Sequence, residues 1–219
     1  MIVPSISNKT RTLEIAAVVF TAAGKFIYMD WLGGRLAFIT IAILGWIAYI
    51  IYRGHQVPGI QHYWGFRKDN FRSVMRRVAP FGLFSLIVFT GIGLYQHSIN
   101  LTWHIIPILI IYPIWGIIQQ FLLIALTAGN LHDMKGQRWN KTIIILLTAI
   151  FFAWVHYPYN WLMAGTFVLA LFYGWIYLEE KNISVLGIFH GWLGGIFFYT
   201  VVGRDPFVET FGRLFHLQH

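Results

Sequence analysis

The chain has 219 residues, 58% of them hydrophobic and only 11% charged, with a mean hydropathy of +0.64. No soluble domain of this length could hide so much apolar surface, so composition excludes the soluble classes and predicts an integral membrane protein. The formal net charge of +8 resides in short loops between apolar runs. That is where topology signals and contacts to anionic lipid headgroups belong, and it argues against a nucleic-acid partner.

Near the N-terminus, Lys9 and Arg11 flank an apolar run that Lys25 interrupts before Asp30. Without a small-residue cleavage site, the run reads as a retained first helix rather than a signal peptide. Apolar runs then fall at about 13–29, 36–52, 79–95, 101–127, 143–157, 160–178 and 183–201. Each backbone group in lipid must be satisfied within its own segment, so these runs predict an all-α polytopic bundle of about seven transmembrane helices, one domain over 1–219. No cysteine is present, which removes disulfides, thiol nucleophiles and thiolate metal sites.

The loops report orientation. Arg53, Arg67, Lys68, Arg72, Arg76 and Arg77 lie between the second and third runs, whereas 96–100 holds no Lys or Arg. The first loop is expected to be cytoplasmic and the second external. Lys135, Arg138, Lys141 and Lys181 then fall inside, and the uncharged turn Tyr157-Pro158-Tyr159-Asn160 outside. The N-terminus is expected to be cytoplasmic and the tail after Val202 external. Short loops and the lack of a large extramembrane domain suggest a bacterial inner membrane.

Over 60–78, Tyr63, Trp64, Phe66, Phe71, Val74, Met75 and Val78 alternate with Arg and Lys. This predicts either an amphipathic helix in the cytoplasmic interface or a plain topogenic loop. In the last run Gly187, Gly191 and Gly195 recur every four residues, so a neighbouring backbone can approach that face closely, with His190 and Gly194 on the adjacent line. Trp103, Trp161 and Trp175 near run ends fit interfacial belts. Lys25 is expected to snorkel toward water.

Three polar clusters lie at membrane depth: Gln119-Gln120, His156 and His190. At a rise of roughly 1.5 Å per residue from the loop edges they lie about 14, 20 and 12 Å deep, close to a single layer. They could be glue between helices, worth about 1 kcal/mol per contact. They could equally form a site, since an ionisable group in lipid is costly. A zinc or haem site, with His104 as a further ligand, would need partners the chain does not offer: HExxH, CxxCH and an intramembrane carboxylate are absent, and no metal or other cofactor is expected. Glu179-Glu180 beside Lys181 reads as a helix end and loop.

The order of these clusters resembles the CAAX protease and bacteriocin-processing (CPBP) family of glutamic intramembrane proteases. Its three motifs, EExxxR, FxxxH and HxxxN, stand on three helices. Here Phe152 and His156 match the second, and His190 matches half of the third, with Gly194 in place of Asn. The stretch Phe172-Tyr-Gly-Trp-Ile-Tyr-Leu178 and the upstream Gly65-Phe66-Arg67 are also similar, and the CPBP-like core spans about 101–201. The resemblance implies endoproteolysis of a membrane-anchored peptide near the cytoplasmic face. In the family a glutamate activates water while the histidines polarise or stabilise the oxyanion.

The first motif departs from the family: Gln119-Gln120 stands for the glutamate pair and Ile124 for the arginine. An amide can orient water but cannot take its proton. His156 is then the expected base, with Gln119 positioning water and His190 serving the oxyanion. Gln120, Phe152 and Gly194 are expected to complete or line the cavity. The alternatives are a non-catalytic scaffold or receptor for a hydrophobic or lipidated peptide, and, more distantly, a haem- or metal-binding or transport protein. Membrane lipids are the other expected partners.

Overall fold

The computed structural model describes residues 5–216, and every regular element among them is a helix. In chain order these are α1 (Asn8–Gly24), α2 (Arg35–Gln56), α3 (Ile60–Tyr63), α4 (Phe71–Gln96), α5 (Ile105–Gln120), α6 (Asn130–Asp133), α7 (Lys141–Trp154), α8 (Asn160–Glu180), α9 (Ile183–Phe197) and α10 (Pro206–Phe215). Wider π-helical turns prolong α1 through Lys25–Trp31, join α5 to α6 through Phe121–Gly129, and prolong α9 through Phe198–Val202. Six of the resulting rods are long and apolar enough to cross a membrane, making this an integral membrane protein. The fifth apolar run, 143–157, yields only α7, whose 14 residues reach about 21 Å, short of a hydrocarbon core of about 30 Å.

Local chemistry fixes where helices begin. Ser7, Asn140 and Asn182 accept hydrogen bonds from the backbone N–H of Thr10, Ile143 and Val185, so α1, α7 and α9 each start on a side-chain cap. Asp205 caps α10, and Pro206 occupies the first turn, where its missing N–H costs nothing.

The tightest pairing in the bundle is α5 against α9. A Cβ on Gly187 would stand 2.3 Å from Ile117 Cα, one on Gly116 2.3 Å from Gly187 O, and one on Gly191 2.5 Å from Pro113 N. Backbone meets backbone there, as the four-residue glycine spacing predicted. α7 and α8 form an antiparallel hairpin, and α4 covers the other side of α9.

Hydrogen bonds tie the loops into two distinct ends. At the basic end, Arg11 Nη1 donates to Tyr63 Oη (2.8 Å) and Asn130 Oδ1 (3.0 Å), and Asn130 Nδ2 donates to Glu14 Oε2 (2.7 Å). Tyr49 donates to Glu14 Oε1 (2.6 Å), Lys181 pairs with Asp133 (2.7 Å), and Arg77 pairs with both Glu179 and Glu180. At the opposite end Asp205 accepts from Thr102 Oγ1 (2.7 Å), lies 2.6 Å from His104 Nδ1 and accepts from Tyr199 Oη (2.9 Å), while Glu209 pairs with Arg35 and Arg204. All Lys and Arg residues except Lys25, Arg35, Arg204 and Arg213 belong to the basic end by sequence position.

Three features refine the expectations from sequence. Residues 60–78 do not form one interfacial helix: α3 ends at Tyr63 and residues from Phe71 onward are the first turns of α4. The segment is docked, not floating, because Ile60 and Trp64 are 0% and 1% exposed and Ile183 N–H donates to Gly65 O (2.9 Å). Gly65 has φ +97°, and a Cβ on it would stand 2.8 Å from Lys181 O, so only glycine suits that junction. Lys25 has partners at its tip: its Nζ lies 2.6 Å from Asp30 Oδ2 and donates to Tyr157 O (3.2 Å). Glu14, only 4% exposed within the first span, is a carboxylate inside an apolar run, where none is expected.

Candidate functional site

The histidine of the FxxxH motif owes its position to the end of a helix. α7 stops at Trp154, and its last carbonyls have no intrahelical donors. Val155 N–H takes Phe151 O and His156 N–H takes Ala153 O. The carbonyl left between them, Phe152 O, lies 2.8 Å from His156 Nδ1. A carbonyl can only accept, so Nδ1 carries the proton and Nε2 is the ring's free lone pair.

His190 stands one line away from the glycine face of α9. Its Nε2 is 2.9 Å from Gln119 Oε1, so the ring donates to the amide oxygen and leaves the two amide N–H donors of Gln119 available. His190 Nδ1 is buried and has no hydrogen-bond partner. Phe152, 0% exposed, sits beside both imidazoles, with ring centroids 5.4 Å from His156 and 5.5 Å from His190. The two histidines, Phe152 and Gln119 thus form one cluster.

His156, His190 and Gln119 line a cavity of about 240 Å³. Gly194 lines it too, and a Cβ added there would meet nothing within 4 Å. The rest of the wall is apolar, including Leu122, Leu123, Val155 and Leu162, and then becomes polar at Lys25, Asp30, Arg35, Tyr159 and Thr210. A larger groove of about 930 Å³ runs between α1 and α2 on the outer surface, where Phe20 and Ile41 are 77% and 71% exposed. Thr21 and Phe38 line both spaces.

Gln120 does not line the cavity. Successive helical residues point about 100° apart, and the residue next to Gln119 turns into the packed interior, where it is 0% exposed with neither amide atom paired. Phe152 likewise stands behind the imidazoles and does not line the space. The π-helical segment begins at the residue after Gln120, a local widening of the kind found at functional sites.

Sequence reasoning missed the rim. Lys25 and Asp30 lie on the turns that prolong α1, Arg35 opens α2 and Tyr159 sits between α7 and α8, and no spacing links the three places. Asp30 is the only carboxylate lining the cavity among the described residues, and it is held by Lys25.

Residues 101–196 match the Rce1-like family, described as type II CAAX prenyl endopeptidase Rce1-like. No curated protein and no solved structure matches the chain.

Proposed function

We propose, for a membrane protein whose residues 101–196 are Rce1-like, that the cavity binds a membrane-anchored peptide and hydrolyses it with an imidazole in place of the family's glutamate. The observation that carries this reading is the orientation of His156: Nδ1–H is held by Phe152 O, and Nε2 is free on a residue that lines the cavity. In the proposed step His156 Nε2 takes a proton from water as its oxygen attacks the peptide carbonyl carbon. The oxyanion accepts hydrogen bonds from the Gln119 amide, which His190 holds by its oxygen. Collapse of the tetrahedral intermediate breaks the C–N bond, and the imidazolium returns its proton to the leaving amine. His190 is therefore a positioning residue in this reading, not the oxyanion donor expected from the family, because its Nε2–H is already engaged. The groove between α1 and α2 adjoins the cavity at Thr21 and Phe38 and offers an apolar path for the peptide's anchor.

The test is mass-spectrometric detection of cleavage in lipid nanodiscs with a library of hydrophobic and prenylated peptides. Loss of the general base is expected to slow cleavage about 10²–10⁴-fold in His156→Ala. Cleavage unchanged by that substitution overturns the assignment of the base.

A second reading is favoured by one observation, the amides at 119 and 120 where the family has carboxylates. There the same cavity binds the peptide without cutting it. Peptide binding with no cleavage by the wild type, together with cleavage gained in Gln119→Glu, selects that reading.

A further inference from the structure

The cavity is placed asymmetrically in the bundle. Its polar rim, Lys25, Asp30, Arg35, Tyr159 and Thr210, belongs entirely to the end opposite the basic loops. Among the described residues none of its lining comes from the α2–α4 connection, from α6 or from the α8–α9 turn.

Two layers separate the histidines from the basic end. The first is aromatic: Phe121 has ring centroids 5.0 Å from Trp64, 5.6 Å from Phe66 and 6.1 Å from Trp46, and Tyr49 lies 5.9 Å from Trp64. Trp64 and Phe121 are at most 1% exposed. The second is the buried network in which Asn130 joins Arg11 to Glu14, with all three residues at most 5% exposed. A peptide reaching His156 through the bundle interior from that side would have to dismantle both. The other route from that end, the α1–α2 groove that reaches Arg53 and Gln56, is walled by Phe20, Ile41 and other exposed apolar side chains and suits a lipid anchor, not a polypeptide. From the other side it meets only the rim and α10, whose Thr210 and Phe211 border the cavity.

Lys and Arg concentrate on cytoplasmic loops. We infer that the site is served from the non-cytoplasmic side, so that its substrates are membrane-anchored polypeptides whose cleavable segment emerges on the outer face, not cytosolic prenylated tails. This rests on the proposed function for the word substrate, but the side of access does not depend on cleavage.

The native chain has no cysteine, so single thiols report access cleanly. Gly194→Cys places a thiol in open space beside the histidines, and Thr210→Cys places one at the rim. The exposed positions Lys68→Cys and Gln96→Cys mark the two ends. Right-side-out and inside-out vesicles are treated with a membrane-impermeant maleimide. The inference expects Lys68→Cys to label only from the cytoplasmic face, and Gln96→Cys, Thr210→Cys and Gly194→Cys only from the outer face. Labelling of both cavity thiols from the Lys68 side, from both sides equally or from neither overturns it. Because labelling needs no turnover, a protein that cleaves peptides but labels from the Lys68 side loses this inference and keeps the proposed function. One that labels as expected but neither cleaves nor binds peptide does the reverse.

Discussion

The two ends of the bundle treat polar groups in opposite ways. At the basic end, buried charge is closed on itself: Glu14 accepts from Tyr49 and Asn130, Asn130 accepts from Arg11, and Tyr63 links Arg11 to Asp133. Beyond midway the polar groups face space, with a free Nε2 on His156, free amide donors on Gln119 and an open position at Gly194. A mutually hydrogen-bonded network fixes one arrangement of helices even with Arg11 Nε left over, whereas polar groups that border a cavity can meet a ligand. Stability should therefore respond most to changes at the first, and activity to changes at the second.

The largest break in this comparison should come from Glu14→Ala. It leaves Asn130 Nδ2 and Tyr49 Oη without their acceptor, and Arg53, 4.0 Å away, without its carboxylate. Removing one member of a buried charged set costs about 3–5 kcal/mol. Thermal unfolding in detergent should show a large drop, while His156→Ala, which removes a ring that borders open space and makes one hydrogen bond to its own helix end, should cost about 1 kcal/mol. Equal losses from the two would erase the distinction between the ends.

A sharper version uses two glycines seven residues apart on α9. Gly187→Ala drives a methyl against Ile117 backbone, which cannot move aside without shifting α5, and should cost about 1–3 kcal/mol. Gly194→Ala adds the same methyl into open space and should leave unfolding unchanged. Side by side, the pair measures where α9 packs and where it faces the cavity. A loss at Gly194 matching that at Gly187 contradicts the cavity.

The sequence made much of this architecture legible, for reasons that differ by residue. Hydropathy runs mark helices because lipid forces each span to satisfy itself, and the glycine face of α9 is readable because a period of four survives in a straight helix. The approach of His190 to Gln119 was within reach because both lie at similar depth on helices of known order. The divergence of Gln119 from Gln120 was not, since adjacent letters give no sign of which one meets the cavity. Arg35 and Glu209 are 174 residues apart, and nothing in either neighbourhood announces the pair. Glu14 did carry a signal, an acid three residues after Arg11 within an apolar run, which places both on one helix face.

The smallest effect expected is also the one confined to the cavity end. Burial raises the Asp205 carboxyl, but hydrogen bonds from His104, Thr102 and Tyr199 outweigh it and leave the group below the ordinary carboxylate value. A depressed folded value means that the carboxylate stabilises this end above its unfolded pKa of about 3.9, and that the contribution fades as pH falls through the folded value. Asp205 also caps α10 through Phe207 and Val208 N–H, so the same protonation weakens the helix whose Phe211 borders the cavity. Amide exchange in α10 should accelerate below about pH 4, in excess of any change in α5 or α9, and that acid step should vanish in Asp205→Asn, which keeps an oxygen for the cap but has no proton to gain. An acid step that persists in Asp205→Asn would assign the loosening to other groups and remove Asp205 as the link between α10 and the cavity.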